Sequence, residues 1–291
     1  VIVAKCGSSI DEQIQWLFRV RTGSAQYAIK SEQDFDNQQL SFASRFILES
    51  LGIDIGWLDD SHLDEILARF GGEFPTTLQF SAFSRSKCAG IDPRIDPDVA
   101  IISWMEKEEQ LFRTLERHIV AQRLTTGFVT PSGAADVDAF VSYSLSVQNR
   151  RKSRVGLTLE NHLEHIFQLS DITYSRTGRT ENHSKPDFLF PNQGCYQDLG
   201  FDANRLLMLG VKSTCKDRWR QVLAEADRIP HKHLLTLEAP ISQHQTDEMK
   251  VKSLTLVVPK PLQLHFNEAQ RLQLMSLSEF IAVAKARQEA M

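Results

Sequence analysis

Three charged side chains stand at the edges of apolar segments in an order suited to phosphodiester hydrolysis: Asp187, Lys212 and Glu225. That reaction needs a cation to neutralise the phosphate and a water oriented for in-line attack. Hard cations such as Mg2+ take oxygen ligands, often one or two carboxylates completed by waters and substrate oxygens. Asp187 follows Pro186 at the start of the apolar run Phe188-Leu189-Phe190 and is the first candidate metal ligand. Lys212 ends the next apolar run, Leu206 to Val211, where its ammonium is placed to steer the water and stabilise developing charge. Glu225 is the second candidate ligand, on a helix expected over Lys216 to Asp227.

Helical spacing sets Arg218, Gln221 and Glu225 on one side of that segment, at i, i+3 and i+7. Trp219, Val222, Leu223 and Ala226 make the neighbouring apolar stripe, which should pack on a sheet. Singly, each charged residue has a plainer reading. An Asp after Pro often marks only a strand boundary, a Lys at a strand end points to solvent, and Glu225 has Arg228 nearby as a partner. The weight lies in the combination of residue types with strand and helix context.

The elements around this stretch alternate. Helical patterns cover Phe42 to Leu51, ended by Gly52, and Ser61 to Phe70, ended by Gly71-Gly72. Val1 to Ala4 reads as a strand. The turn-rich Arg85 to Pro97 reads as a linker, so the expected division is an N-terminal region (1–85), a linker or long loop (86–97) and a main domain (98–291). Asp98 to Leu124 is strongly helical, with Ile101, Met105, Leu111, Phe112, Leu115 and Ile119 inward and Arg113, Arg117 and Arg123 on the other side. A helix over Asp136 to Val147 is followed by Arg150, Arg151, Lys152 and Arg154, read as a basic loop that could clamp phosphates. Thr158 to Phe167 is an amphipathic helix that carries Glu160 and Glu164 on one side. Strands are expected at His233 to Leu237 and Leu254 to Val258, and a closing helix at Ser276 to Arg287. The order is that of an α/β protein with a central mixed sheet flanked by helices, preceded by a partly helical N-terminal region.

A chain of 291 residues can bury a proper core. No apolar run approaches the roughly 20 residues of a membrane helix, and no secretory signal is visible. The first residue is Val rather than Met, the expectation for a fragment or processed chain. Cys6, Cys88, Cys195 and Cys215 lie far apart without a CxxC pair, which argues against a zinc ribbon or disulfide framework and for a reducing, cytoplasmic setting. A net charge of −4 gives no global sign of nucleic-acid binding; a local basic face would decide it.

Pro186-Asp187, Lys212 and Glu225 resemble the active-site pattern of the PD-(D/E)XK nuclease superfamily in a variant form. Gly210 stands where an acidic residue usually precedes the lysine, and Glu225 fits the place from which one subgroup supplies that carboxylate. Residues 98 to 291 further resemble the EcoRII-type restriction endonucleases. That likeness is carried by Asn149 to Arg154, Lys185 to Pro191 and Val211 to Arg220, the last including Lys216-Asp217-Arg218-Trp219-Arg220.

The resemblance implies a homodimeric, Mg2+-dependent endonuclease that cuts double-stranded DNA at a CC(A/T)GG-like site. It implies catalytic roles for Asp187, Lys212 and Glu225, with Glu160 as a further acidic member and Asp187 and Glu225 as metal ligands. Asp217 and Arg218 would read C·G pairs, a match to their chemistry, since Arg donates two bonds to guanine and Asp accepts from cytosine N4. Relatives flip a central base pair, and Arg113 or Arg117 is expected to help hold it. An N-terminal effector region that binds a second DNA copy is also implied for part of the family.

Other readings stay open at this level. A DNA-binding protein of the same fold without cleavage has no need of all three catalytic side chains. A structure-specific repair nuclease would not need the Asp217-Arg218 pair. Covalent strand transfer from Tyr196 lacks a surrounding cluster of arginines and histidines.

Overall fold

The computed structural model describes residues 8–17, 44, 45, 48, 61–215, 218–238 and 241–289. The expected strand at residues 1–4, most of the expected helix at 42–51, and Asp217 lie outside them. The chain groups into two compact units. The first holds Val1–Ile55, Asp92–Ile102 and Glu164–Met291, and the second holds Gly56–Ile91 and Ser103–Leu163.

Helices in chain order are α1 (Ser9–Leu17), α2 (Leu63–Phe70), α3 (Thr77–Ser86), α4 (Pro97–Thr126) and α5 (Val137–Leu169). The sheet region follows, with β1 (Ser175–Arg176), β2 (Phe188–Phe190), α6 (Gln193–Gln197), β3 (Leu207–Lys212), α7 (Trp219–Leu223), β4 (Lys232–Thr236), α8 (Gln243–Val251) and β5 (Leu254–Val257). The short helices α9 (Lys260–Gln263) and α10 (Glu268–Arg271) and the closing α11 (Leu277–Glu289) complete the described chain.

The second unit is helical. Ile66 of α2, Phe80 and Phe83 of α3, and Leu111, Phe112 and Leu115 of α4 form one buried cluster. Leu63–Ser86 therefore shares its core with α4, although the sequence sets it on the far side of the turn-rich segment at 86–97. Local chemistry explains the helix ends. Gly71 stops α2 at φ +67, donating its N–H to the Leu67 carbonyl. Thr76 and Gln79 close a capping box at the start of α3. Asp96 accepts the Val99 N–H at 2.9 Å, and Pro97 takes the first position of α4, where its missing N–H costs nothing. Gly127, at φ +77, ends that helix.

The basic loop expected at 148–154 is instead the middle of α5, which is continuous from Val137 to Leu169. No proline interrupts the segment, and the single Gly156 costs only about 1 kcal/mol inside a helix. Carboxylates on α4 hold the cations: Arg151 Nε donates to Glu116 at 2.6 Å, and Arg154 reaches Glu108 at 3.4 Å.

The first unit is built on a five-stranded sheet in the order β1-β2-β3-β4-β5. β1 and β3 both pair antiparallel with β2, whereas β3, β4 and β5 run parallel. β3 and β4 are buried almost throughout because helices cover their faces, although β4 carries Lys232, His233 and Thr236. One layer of the core is aromatic: Phe167 from the end of α5 meets Phe188 at 5.2 Å and Phe190 at 5.3 Å, both edge-on, and Phe190 meets Phe280 of α11 at 5.5 Å. Buried Asp98 receives the N–H groups of Leu277 at 2.7 Å and Ser278 at 3.1 Å, satisfying the otherwise orphaned start of α11.

Candidate active site

Antiparallel pairing of β2 with β3 sets Asp187, just before β2, opposite the end of β3. The Val211 N–H donates to Asp187 Oδ2 at 2.6 Å, and Lys212 Nζ donates to the same oxygen at 2.9 Å. Both side chains are largely buried. One carboxylate oxygen therefore fixes the strand end and the lysine together, so the pair is pre-oriented.

Glu225 joins them by a different route from the one its helical spacing predicts. Helix α7 covers only Trp219–Leu223, so Glu225 stands beyond its end, in a bend, and Ala226 after it takes φ +52. The shared helix face expected for Arg218, Gln221 and Glu225 is thus absent. The helix ends in tight i→i+3 bonds, the Ala224 N–H to the Gln221 carbonyl and the Glu225 N–H to the Val222 carbonyl, both at 3.2 Å. The buried ammonium of Lys232 donates to the carbonyls of Glu225 and Ala226. Trp219, Val222 and Ala226 are buried as the apolar stripe predicts.

Burial pushes the Glu225 carboxyl up to about 7; the Lys212 charge pulls down, the Asp187 charge pushes up, and Lys232 pulls down. The three catalytic candidates are thus electrostatically coupled in one place. Glu225 Oε2 is buried and has no hydrogen-bond partner among the described residues. A buried acceptor left in that condition, beside a second carboxylate, suits a hard divalent cation with oxygen ligands. Among the described residues no group of three or more His, Cys, Asp or Glu side chains is arranged to hold a metal. Two carboxylates leave room for a divalent cation that completes its shell with waters and substrate oxygens.

The remaining expected residues separate. Arg218 is exposed at the start of α7, in the first unit. Its expected partner Asp217 is outside the described residues. The loop between β3 and α7 is held by Glu238, a buried carboxylate beyond β4 that accepts the Cys215 N–H and receives Gln13 Nε2 at 3.4 Å. Burial and the Glu238 charge raise the Cys215 thiol far above its ordinary range, which removes it as a nucleophile.

Glu160, half-buried on α5, belongs to the second unit, as do Arg113, Arg117, Arg150, Arg151 and Lys152. Arg113 is mostly buried, with Nε 2.6 Å from Glu109 and a longer approach of 3.9 Å to Glu116, which it shares with Arg151. The Arg150 guanidinium stacks on Phe74, and Arg117 and Lys152 are exposed.

Tyr196 is 3% exposed, and its hydroxyl donates to Glu181. Burial and that carboxylate raise it well above the usual tyrosine range, a setting for a structural donor and not for a strand-transfer nucleophile. Glu181 and Lys232 were not singled out from the sequence, and Tyr196 and Arg228 were considered there only as a nucleophile and as a partner for Glu225. The one local signal was a lysine opening the apolar run His233-Leu234-Leu235.

The mixed sheet with helices on its faces is a fold shared by solved structures of restriction endonucleases. Metal-depleted Ecl18kI in complex with uncleaved, modified DNA matches with a TM-score of 0.62 and 16% identity over 80% of this chain and 85% of that one. The PspGI restriction endonuclease–substrate DNA complex matches with a TM-score of 0.58 and 14% identity, covering 75% and 95%. The model of the EcoRII C-terminal family matches residues 112–281, and the chain belongs to that family. It is also 43% identical over 189 residues to the type II restriction enzyme EcoRII of Escherichia coli, covering 65% of this chain and 45% of that protein. The chain thus spans less than half the length of that relative. No helix among the described residues is long and apolar enough to cross a membrane.

Proposed function

We propose that this chain is the catalytic part of a type II restriction endonuclease that makes Mg2+-dependent double-strand cuts at a CC(A/T)GG-like site. The observation that carries the reading is the convergence on Asp187: Lys212 Nζ lies 2.9 Å from its carboxylate, and Glu225 brings a buried, unpartnered oxygen into the same electrostatic neighbourhood. A DNA-binding protein acting by occupancy has no use for a buried carboxylate whose ionisation burial opposes. An ion bound there needs that charge.

In this reading Asp187 and Glu225 hold the metal, which when bound would supply charge neutralisation at the phosphate. Lys212, anchored on Asp187, orients the attacking water and stabilises charge that grows on the phosphate. Glu160 is assigned a supporting acidic role on the strength of the family pattern. Arg218, with Asp217, reads the C·G pairs of one half-site; a second copy of the chain reads the other, so that the working form is a homodimer. Arg113 or Arg117 contacts the central base pair, and Arg150, Arg151 and Lys152 contact phosphates. The enzyme works in the cytoplasm, where its double-stranded DNA substrate lies. The relatives' DNA complexes support the choice of partner.

The test is direct. Plasmid DNA is incubated with the protein and Mg2+, and the ends are sequenced. Discrete fragments with one common end sequence are expected; random nicking, or no cutting with Mg2+ or Mn2+, would overturn the assignment.

A further inference from the structure

We propose that Lys232 is a positioning residue for Glu225, fixing the turn that delivers the second carboxylate to the metal site; this rests on the nuclease reading of that site. Lys232 opens β4 and is only 7% exposed, an unusual place for a lysine. Its ammonium reaches back to donate to the carbonyl of Glu225 and, at 3.1 Å, to that of Ala226. Local sequence does not stop helix α7 there. Ala224, Glu225 and Ala226 are good helix formers, and the first proline comes only at Pro230. The stop is therefore tertiary. The Glu225 carbonyl, which in a continued helix would take the Ile229 N–H, is held by the buried cation, and the Ile229 N–H goes instead to the Ala226 carbonyl at 2.9 Å. Ala226 is held at φ +52, a conformation a non-glycine residue rarely adopts without outside support.

The other flank of the turn is gripped as well. Glu181 accepts the Asp227 N–H at 3.3 Å as well as the Tyr196 hydroxyl, and that hydroxyl accepts the Arg228 N–H at 3.3 Å. Between these holds, Glu225 has no freedom to wind back into the helix. Winding back would carry its carboxyl to a helical position and away from Asp187 and Lys212. Because Lys232 spends its protons on backbone carbonyls, it acts through Glu225 and not on the phosphate itself.

Single-turnover cleavage of a duplex by the whole chain, measured across Mg2+ concentrations, tests this. Lys232→Met keeps the stem and removes the donors. The half-saturating Mg2+ concentration should rise, and the rate should fall, by roughly 10–100-fold, the usual effect of removing a group that orients a metal ligand. Binding of uncut duplex in Ca2+ should stay as in the wild type. In the Lys232→Met background, Ala226→Gly should recover part of the Mg2+ affinity, because glycine adopts positive φ at no steric cost. A role in stability alone predicts no such recovery. Where Lys232→Met does not fold, Lys232→Gln, which retains one donor, carries the same test. Wild-type Mg2+ dependence in the folded variant overturns the proposal. Absence of cutting by the wild type instead overturns the nuclease reading on which it rests.

Discussion

Gly210 and Val222 touch so closely that a β-carbon added to Gly210 would stand 2.9 Å from Val222 Cγ2 and 3.2 Å from Cγ1. Position 210 is where the common form of this active site carries its acidic residue, two places before the lysine. Here helix α7 lies across β3 at that point, and no side chain fits. The departure at position 210 thus has a packing reason. With Val222 over the strand, the proposed site takes its second carboxylate from elsewhere, and Glu225 beyond the same helix is placed to supply it. Gly210→Ala should destabilise the protein by about 1–3 kcal/mol, the usual cost of overpacking, seen as a lower midpoint in urea. Gly210→Asp combined with Glu225→Gln should not restore cleavage. A stable, active double variant would show that the strand position remains open to a carboxylate.

Lys212 shares Asp187 Oδ2 with the Val211 N–H, so the strand end stays tied by the backbone bond when the side chain is removed. Lys212→Ala should therefore lower Mg2+-dependent cleavage by at least roughly 10²–10³-fold, the scale for loss of one charge-stabilising donor. Specific binding of uncut duplex should be largely unchanged. Gel shift in Ca2+ beside single-turnover cleavage in Mg2+ separates the two. Full residual cutting would remove the lysine from the chemistry.

What could be read from the chain before its structure divides along physical lines. Apolar runs such as Leu207–Val211 and Leu254–Val257 announce buried parallel strands, because covered strands leave no polar face to confuse the pattern. The charged residues at their ends were legible for the same reason. The end of α7 was not legible. Trp219 to Asp227 contains nothing that stops a helix, and the carbonyls of the turn that follows are held by Lys232, on a strand that lies later in the chain. Continuity of α5 through Arg150 to Arg154 was hidden too, because a run of like charge reads as a solvent loop until the acids of α4 that neutralise it are known. The pairing of Arg113 with Glu109 was local, at i and i+4, and could have been found.

Inside the second unit, Glu108 and His162 are both fully buried, with His162 Nε2 3.1 Å from Glu108 Oε2. Burial lowers the His162 pKa, Glu108 opposes this, and the Arg85 and Arg154 charges lower it further, so the ring is neutral. Burial pushes Glu108 up, but His162, Arg154 and the Thr158 hydroxyl outweigh it and leave the carboxyl below its ordinary value. Both folded groups thus bind protons less readily than in the unfolded chain. Their stabilisation is complete above the ordinary histidine value of 6.5 and is lost as pH falls, first through His162 and then, below 4.5, through Glu108. Thermal midpoints should therefore fall steadily from pH 7 to pH 4. His162→Gln should flatten the upper part of that fall. An unchanged slope between pH 6.5 and 5 in the variant would exclude His162 as its source.

Arg113 was a candidate to hold an extruded base, and its geometry sets a second demand on it. Its guanidinium lies against Glu109 at 2.6 Å, with both side chains nearly out of solvent. Removing Arg113 takes one of two cations from Glu109, which Arg154 also reaches, at a cost of about 1.5–3 kcal/mol, the scale of a lost hydrogen bond to a charged group. Arg113→Ala should therefore lower the thermal midpoint before any effect on DNA is read, whereas Arg117→Ala, at an exposed position, should leave the stability within about 0.5 kcal/mol of wild type. Comparing cleavage by the two variants at a temperature where both are folded then isolates the DNA role. A defect confined to Arg117→Ala would assign the contact to that residue.

Arg218 differs from these arginines in being exposed at the first turn of α7, on the loop that follows Lys212, with no ion pair found for it among the described residues. Its guanidinium can donate two bonds to guanine O6 and N7, a geometry that neither lysine nor a neutral side chain reproduces. Arg218→Ala should weaken binding of the specific duplex by about 1–3 kcal/mol and relax discrimination at one G·C pair of each half-site. Affinities for a series of duplexes substituted at each position, measured at one fixed salt concentration, separate the two roles. A base contact loses its preference at a single position, whereas a phosphate contact loses affinity on every sequence and lowers the salt dependence by about one ion. The uniform loss would move Arg218 from reading the site to gripping the backbone.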